Sequence, residues 1–408
     1  LARRSAQRPD GQGEPAWVTE LVARVHATAP RYRRRVRERR AGGPGGGAPQ
    51  RLADVTPVGR ADLVADLAGF VPVDVPLDRV LEGTSSGSTA TALVVPLHPR
   101  ALAAEVVLLR HLLAQEGVVW DPDPDRAGLV SLLAQPTAFT YASVMSAFGQ
   151  AAMARLTLHP SAWRRPGDAR ALLEALDPQV LSTTPWPLSH LCDLADRGAA
   201  LHPLALVSGA AQLPPPLRRR ARERFGAPVL DLYGLRETGP VAALVDDGAP
   251  PPGGRDVGGG EDVHVVVPRR VHVEVLGVGD APVPHGARGE VVVTVDENPH
   301  LPLLRYRTGD TARLVRGGGR PALAGLAGWL RLARTRPPAL VPLAPAHLVA
   351  ARVEEAGRAA GIVRADSRHL GHAGEKNLVG LRVADAQGLV VAVLAQVHVA
   401  AAVQEAVP

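Results

Sequence analysis

Apolar residues recur at two different periods along the chain, and the period changes near residue 260. Between residues 54 and 232, short apolar runs alternate with segments in which Leu and Val return at helical spacing, and Gly and Pro separate them. Because strand and helix alternate, this region is predicted to be a mixed α/β layered domain. Predicted helices are residues 99–115, 169–176, 188–197 and 216–225, and predicted strands are residues 94–96, 180–183, 204–207 and 229–232.

Beyond residue 262 the apolar residues alternate with a period of two, which is typical of strands. Residues 262–267, 271–275 and 290–295 are predicted strands of a small antiparallel or barrel-like subdomain. Near the end of the chain, residues 378–383 are predicted as a strand and residues 389–407 as a helix.

These segments predict two domains. Residues 1–315 form a large N-terminal domain, in which residues 1–50 are a basic helical leader with a Gly-rich linker and residues 262–315 are the β-rich subdomain. Residues 316–408 form a small C-terminal α/β domain, and no final strand is predicted after residue 407.

Composition indicates a globular protein of a reducing compartment. The 408 residues are 46% hydrophobic and 21% charged, and Cys192 is the single cysteine, so an intramolecular disulfide or a cysteine-based zinc site is not expected. The longest apolar stretch, residues 389–403, is too short for a membrane span, and the first residues do not form the apolar segment of a signal peptide. We therefore expect a cytoplasmic protein that does not enter membranes.

The basic residues allow two interpretations. The net charge is +6, and 45 of the 46 basic residues are arginine, with Lys376 as the exception. Seven of the arginines fall in residues 31–40, a run that could bind nucleic acid phosphates or could be the solvated face of a helix anchored by Tyr32 and Val36. Because only 3% of the residues are aromatic, stacking surfaces for bases are scarce and nucleic acid is the less favoured partner.

A hydroxyl-rich loop is the first candidate binding element. Residues 83–91 read Gly-Thr-Ser-Ser-Gly-Ser-Thr-Ala-Thr, and such a turn can donate side-chain and backbone hydrogen bonds to phosphate oxygens. No lysine follows as in a P-loop, and a plain surface linker is the alternative. The candidate phosphate-binding residues are Thr84, Ser85, Ser86, Gly87, Ser88 and Thr89.

A second element follows a predicted buried strand. Residues 231–238 read Asp-Leu-Tyr-Gly-Leu-Arg-Glu-Thr, and a tight turn at Gly234 would place Tyr233 and Glu237 at the carboxyl edge of the sheet. There, an aromatic ring can stack on a base and a carboxylate can hold Mg²⁺ with its phosphates. The alternative is a helix N-terminus at which Glu237 favours the helix dipole.

A third element is the segment Leu-Arg-Tyr-Arg-Thr-Gly-Asp at residues 304–310. An aspartate after a Thr-Gly turn, here Asp310, can accept two hydrogen bonds from a vicinal diol such as that of ribose. Thr-Gly-Asp is also a common turn without any ligand.

Together, in this order and spacing, the three elements resemble the acyl-adenylate-forming (AMP-binding) superfamily, and within it the phenylacetate–CoA ligase-like branch. The chain carries counterparts of the family's Ser/Thr-Gly-rich loop, its Tyr-Gly-x-x-Glu turn and its Arg-Tyr-Arg-Thr-x-Asp turn. These counterparts are residues 85–92, 233–237 and 305–310, with weaker echoes at residues 58–63, 184–186 and 208–210.

The resemblance implies that ATP activates an organic carboxylic acid, with aromatic acids as candidates, as acyl-AMP and that a thiol, usually that of coenzyme A, then displaces AMP. It implies a large adenylate-forming domain, Mg²⁺ at Glu237, a ribose clamp at Asp310 and assistance from Thr89 and Arg313 in catalysis. The acceptor could also be a carrier-protein thiol or an amine, and a homodimer is the default expectation. The nucleotide would further contact Ser208, Gly209, Ala210, Asp231, Tyr233 and Gly234, and the acid pocket would include Phe139, Tyr141 and Trp186.

The sequence also departs from the family. The loop's Gly-Lys-Pro becomes Ala-Thr-Ala at residues 90–92, and residues 327–333 lack the hinge's acidic pair. Lys376 lies too early for the family's C-terminal lysine, so either the sequence is a fragment or that lysine is absent. The alternative function is a degenerate member that binds nucleotide or a partner protein with little or no turnover.

The histidines at positions 264, 272, 285 and 300 are too dispersed to predict a metal site. His264 and His272 alternate with apolar residues on predicted strands, so the pattern predicts that they face solvent.

Overall fold

The structure is a computed structural model that describes residues 14–34, 51–84, 93–136, 140–244, 262–317, 319–328, 365–369, 378–384 and 390–396. The chain divides into two compact units. The first holds the described residues up to residue 328, and the second holds the three strands between residues 365 and 396.

Proline and glycine mark the ends of several helices of the first unit. The helices α4, α6 and α7 begin with proline, which needs no hydrogen bond to its nitrogen there, and α7 ends at Gly226 in the left-handed region (φ 62°). The helices are α1 (Ala16–Thr28), α2 (Arg60–Ala65), α3 (Leu67–Phe70), α4 (Pro99–Gln115), α5 (Asp168–Leu176), α6 (Pro185–Asp196) and α7 (Pro215–Phe225). Residues 30–34 are also helical.

Fourteen described strands belong to the first unit and three to the second. Those of the first unit are β1 (Leu81–Thr84), β2 (Val94–Leu97), β3 (Leu129–Leu133), β4 (Tyr141–Met145), β5 (Ala151–Thr157), β6 (Val180–Thr183), β7 (Ala205–Gly209), β8 (Val229–Leu235), β9 (Gly239–Leu244), β10 (Val263–Val266), β11 (Val271–Leu276), β12 (Arg288–Val295), β13 (Leu303–Gly317) and β14 (Arg320–Ala327). Those of the second are β15 (Ala365–His369), β16 (Leu378–Ala384) and β17 (Val390–Gln396).

One 12-stranded sheet organises the first unit, in the order β11-β12-β13-β14-β10-β9-β8-β7-β6-β3-β5-β4. Strands β5, β3, β6, β7 and β8 are parallel to one another, and the other neighbouring pairs are antiparallel. On one face, apolar residues of β6, β7 and β8 pack against α5, α6 and α7; on the other face, α4 covers the same strands. The parallel strands therefore have helices on both faces, and the predicted mixed α/β architecture is confirmed.

Most of the predicted elements are confirmed, with α4 and β6 at the predicted bounds. The strands predicted for the β-rich subdomain lie in the same sheet as the α/β part. The second unit differs from prediction, because residues 390–396 form β17, a strand antiparallel to β16, within the segment predicted as a helix. Its three valines favour a strand once a partner strand is present.

Two predicted turns are also wrong in detail. The Thr-Gly-Asp segment at residues 308–310 lies inside β13 and does not end the strand. Gly309 has φ 79°, and near it the pairing register of β13 shifts against both β12 and β14. Likewise β8 continues through Gly234 to Leu235, with a register shift between Tyr233 and Gly234.

Candidate functional site

Three segments that are distant in the sequence meet at the carboxyl ends of the parallel strands. The Val58 N–H donates to the Arg305 carbonyl at 3.0 Å, and the Val58 carbonyl accepts from the Arg307 N–H at 2.7 Å. This pairing fixes the chain just before α2 on β13, and Arg60 at the start of α2 then reaches Glu237 between β8 and β9. Ligands of α/β proteins bind at this edge of the sheet, so the convergence is the candidate site.

Glu237 is a buried carboxylate with a cationic partner. Its side chain is 3% exposed, and Arg60 Nη1 donates to Glu237 Oε1 at 2.8 Å. The Tyr306 hydroxyl hydrogen-bonds to the same carboxylate, and burial together with the charge of Glu237 raises the pKa of Tyr306. Tyr306 therefore keeps its proton and donates, so Glu237 has one charged and one neutral donor. Carboxylates in such a position are ligands that Mg²⁺ accepts together with phosphate oxygens.

Tyr233 and Asp310, which the sequence assigned to the same nucleotide, are hydrogen-bonded to each other. The Tyr233 hydroxyl donates to Asp310 Oδ2 at 2.9 Å. Burial, and next the negative charge of Asp310, raises the pKa of Tyr233 well above its usual value. The Tyr233 side chain is completely buried, so in this structure it orients Asp310 rather than offering an open ring face.

Asp310 packs closely against Gly328, the residue that follows β14. Gly328 has φ 104°, and a Cβ at this position would lie 2.9 Å from Asp310 Oδ1. The Asp310 N–H donates to Thr308 Oγ1 at 3.1 Å, and Thr308 Oγ1 donates to the Val291 carbonyl at 2.9 Å. The backbone of Asp310 is thus fixed by β12 and β13, and its carboxylate lies against the chain after β14.

A second buried pair joins β8 to β10. His264 Nε2 lies 3.2 Å from Asp231 Oδ2, and both residues are buried. Burial raises the pKa of Asp231, and the hydrogen bond from His264 opposes that rise. The prediction that His264 and His272 face solvent is wrong, because each is less than a tenth exposed. For His264 the reason is its partner, because its ring lies 3.2 Å from the completely buried Asp231 carboxylate.

The remaining predicted residues are distributed as follows. Gly209 ends β7 and Ala210 follows in the left-handed region (φ 62°). Arg313 lies on β13, opposite Arg288 of β12 and Ala324 of β14. Thr84 is the last residue of β1, while Ser85, Ser86, Gly87, Ser88, Thr89 and Phe139 lie outside the described residues.

The two described residues of the predicted acid pocket lie at the periphery of the parallel strands. Tyr141 begins β4, the edge strand of the sheet. Trp186 lies in the first turn of α6 with its ring centroid 4.7 Å from that of His190, and it is 63% exposed. The hydrogen bonds described above connect Glu237, Arg60 and Tyr306 in one group and Tyr233 and Asp310 in another.

Three residues of the site escaped sequence reasoning as functional candidates: Arg60, Tyr306 and His264. Tyr306 lies inside a quoted motif and Arg60 inside one of the weaker echoes, but neither pattern indicates that they meet at Glu237. The pairing of Arg60 with Glu237 spans 177 residues, so only the fold brings the two together.

Residues 83–297, more than half of the chain, match the AMP-binding enzyme family. The chain belongs to the AMP-binding enzyme family. The matched range includes the hydroxyl-rich loop and Glu237, whereas Arg60 and Asp310 lie on either side of it. The superfamily predicted from the three motifs is therefore confirmed.

A phenylacetate-coenzyme A ligase of Pseudomonas putida is 31% identical over 156 residues, which are 37% of this AMP-binding chain and 33% of that ligase. The match thus spans about a third of the relative's length. Two structures of a 2-hydroxyisobutyryl-CoA ligase in complex with 2-HIB-AMP and CoA share the fold with a TM-score of 0.52. The open form is 20% identical over 75% of this chain and 66% of its own, and the thioesterification form 21% over 79% and 70%.

Within the described ranges, no helix has both the length and the apolar character that crossing a bilayer requires. In the same part of the chain, no group of three or more His, Cys, Asp or Glu side chains is arranged to hold a metal ion.

Proposed function

We propose that this AMP-binding protein uses ATP to activate an organic carboxylic acid as acyl-AMP and transfers the acyl group to a thiol, that of coenzyme A. The observation that carries the proposal is the convergence of Glu237 and the Tyr233–Asp310 pair at the carboxyl edge of the parallel strands. The P. putida relative, named for phenylacetate, supports an aromatic acid as the first substrate to test.

In the first step, a carboxylate oxygen of the acid attacks the α-phosphorus of ATP, and the bond from that phosphorus to the bridging oxygen of pyrophosphate breaks. Asp310, oriented by Tyr233, would accept hydrogen bonds from the ribose hydroxyls and hold the nucleotide in line. The hydroxyls of residues 84–89 would donate to the phosphates, and Thr89 and Arg313 would assist catalysis.

Magnesium fits the chemistry of this site, because Glu237 is a buried carboxylate that already binds a positive charge. Glu237 would hold the ion together with phosphate oxygens, and the ion would neutralise charge that develops on the phosphates. Arg60 would then be released from Glu237, and its guanidinium would remain close enough to pair with a phosphate or a carboxylate.

In the second step, the sulfur of the thiol attacks the acyl carbonyl carbon, and AMP leaves with the electron pair of the broken C–O bond. Tyr141 and Trp186, with Phe139, are the proposed lining of the acid pocket; the exposed Trp186 ring suits an opening that admits the acid or the acceptor. The first compact unit, which continues past the predicted boundary at residue 315 to include all of β13 and β14, is proposed as the adenylate-forming domain. The low cysteine content supports the cytoplasm as its compartment.

Acid-dependent exchange of pyrophosphate into ATP tests the proposal. The wild type is measured with phenylacetate, benzoate and 2-hydroxyisobutyrate, and then compared with Glu237→Gln and Asp310→Asn. Glu174→Gln is the matched control, because Glu174 is also paired with an arginine, at 2.9 Å on the surface of α5. Exchange that both site variants retain while they remain folded would refute the site assignment.

A second candidate function is nucleotide binding with little turnover. The observation that favours it is the Arg60–Glu237 ion pair, in which an internal cation occupies the carboxylate that a metal would need. Accumulation of acyl-AMP after incubation with ATP, Mg²⁺ and the acids would exclude this candidate. Tight ATP binding without any acyl-AMP would favour it.

A further inference from the structure

A row of polar side chains crosses the carboxyl ends of three parallel strands. Thr183 of β6 pairs with Ser208 of β7, and Ser208 pairs with Asp231 of β8, so the three side chains lie on the same face. Two residues earlier on that face the strands carry apolar residues that pack under α5, α6 and α7, namely Leu181, Leu206 and Val229. The row is buried, and the change from apolar to polar marks the point where the strands meet their loops.

Asp231 is held inside this row rather than presented to solvent. It is completely buried, and His264 reaches it from β10 across the intervening strand β9, at 3.2 Å. Burial raises the pKa of Asp231, and the Leu213 backbone N–H, which lies near the same carboxylate, lowers it by a smaller amount. Asp231 therefore connects β8, β10 and the segment that leaves β7.

That segment, residues 208–213, has an unusual backbone. Ala210 adopts φ 62°, a conformation that is unfavourable for a residue with a Cβ and persists only where its surroundings enforce it. Leu213 at the other end is completely buried beneath α6 and α7. Among the described residues, the Ser208 hydroxyl has no hydrogen-bond partner although it is completely buried.

We propose that His264 is a positioning residue for the nucleotide: through Asp231 it fixes the backbone of residues 208–213, of which Ser208, Gly209 and Ala210 are the predicted nucleotide contacts. This inference rests on the proposed function. Asp231, which the sequence predicted to contact the nucleotide directly, would instead hold the backbone that contacts it. Because both the histidine and the aspartate are inside the protein, their effect on the ligand passes through the loop backbone alone.

Loss of the hydrogen bond between His264 and Asp231 should weaken binding of the nucleotide but not binding of the acid. Removing the imidazole leaves Asp231 without its donor from β10, so the loop gains freedom and must be ordered again when AMP binds. Loss of one such hydrogen bond corresponds to about a tenfold weaker affinity for AMP. The KM for ATP should rise by a similar factor, while the KM for the acid stays within about twofold.

Calorimetric titration of AMP into the full chain tests this with three variants and one control. His264→Ala removes the donor, His264→Asn keeps a polar group too short to reach, and His264→Gln restores an N–H near the position of Nε2. His272→Ala is the matched control, because it removes another buried imidazole, from β11, without touching Asp231. Thermal melting of each variant shows whether it is folded.

We expect His264→Ala and His264→Asn to bind AMP about tenfold more weakly, His264→Gln to recover most of the affinity, and His272→Ala to bind like the wild type. If the wild type and all folded variants bind AMP equally, the inference is refuted and the proposed function stands. If His272→Ala weakens binding as much as His264→Ala, the effect is general destabilisation and the inference is also refuted. If the wild type does not bind AMP at all, the proposed function itself fails.

Discussion

Replacing Arg60 with methionine should leave Glu237 as a buried carboxylate without its cation and make the protein's stability respond to magnesium. Methionine keeps most of the length of the arginine side chain but donates no hydrogen bond. The substitution therefore removes the 2.8 Å bond to Glu237 Oε1 while it leaves the Tyr306 hydroxyl bound to the same carboxylate.

The magnitude follows from burial on the two sides of the pair. A hydrogen bond to a charged group contributes about 1.5–3 kcal/mol, and breaking a fully buried ion pair costs about 3–5 kcal/mol. The Arg60 side chain is 26% exposed and Glu237 keeps its second donor, so we expect the lower range, about 2 kcal/mol lost from the free energy of unfolding.

Magnesium should return part of this loss to the variant. An ion that binds the folded state with a Kd of about 1 mM stabilises it by about 1.4 kcal/mol at about 10 mM. In the wild type the guanidinium competes for the carboxylate, so the gain should be smaller there. Urea unfolding with and without about 10 mM MgCl₂, at constant ionic strength, measures both quantities.

Arg170→Met is the control for an arginine at the surface: Arg170 pairs with Glu174 on α5, donates to the Arg197 and Gly198 carbonyls, and is 35% exposed. It should cost about 1 kcal/mol and show no magnesium response. The reasoning is refuted if Arg60→Met behaves like Arg170→Met, or if magnesium stabilises the wild type and Arg60→Met equally.

Two further predictions concern the other buried groups. Tyr233→Phe removes the hydroxyl that donates to Asp310, so it should lower the free energy of unfolding by about 1–3 kcal/mol and raise the KM for ATP. Urea unfolding measures the first effect and initial rates measure the second. An unchanged KM would contradict the orienting role of Tyr233. Burial, and next the charge of Arg305, lowers the pKa of His272 to about 4 from 6.5, so the unfolded chain binds more protons between these values. Stability should thus fall as the pH drops from about 6.5 to 4, by about 3 kcal/mol for this group, and His272→Gln should show a shallower profile in unfolding measured across that range.

Local patterns in the sequence predicted the parallel part of the fold well and its antiparallel part less well. The helical spacing of α4 and the apolar run of β6 are properties of short segments, so both have the predicted bounds. The path of β13 depends on pairing with β12 and β14, and this pairing overrides the turn that Thr-Gly-Asp favours by itself.

Some residues of the candidate site could be predicted from the sequence, and others could not. Glu237 and Asp310 could be proposed from residue type and spacing, whereas their partners could not, because Tyr233 and Asp310 are 77 residues apart and Asp231 and His264 lie two strands apart. The alternation around His264 indicates a strand correctly, but the expectation that His264 faces solvent fails because its ring lies against the buried Asp231.

The backbone bonds between Val58 and β13 set an order for assembly of the protein during its synthesis. Strands β6, β7 and β8 are neighbours in the sheet, and with helices α6 and α7 they follow one another along the chain. They can therefore pack together soon after they leave the ribosome. Arg60 cannot be anchored until residues 305–307 have emerged, which at about 5–20 residues per second is roughly 10 to 50 seconds later. Glu237 is made within that interval and lacks its cation until residue 305 follows, roughly 3 to 14 seconds later, so a nascent chain stalled before residue 300 would carry the parallel strands without the finished site.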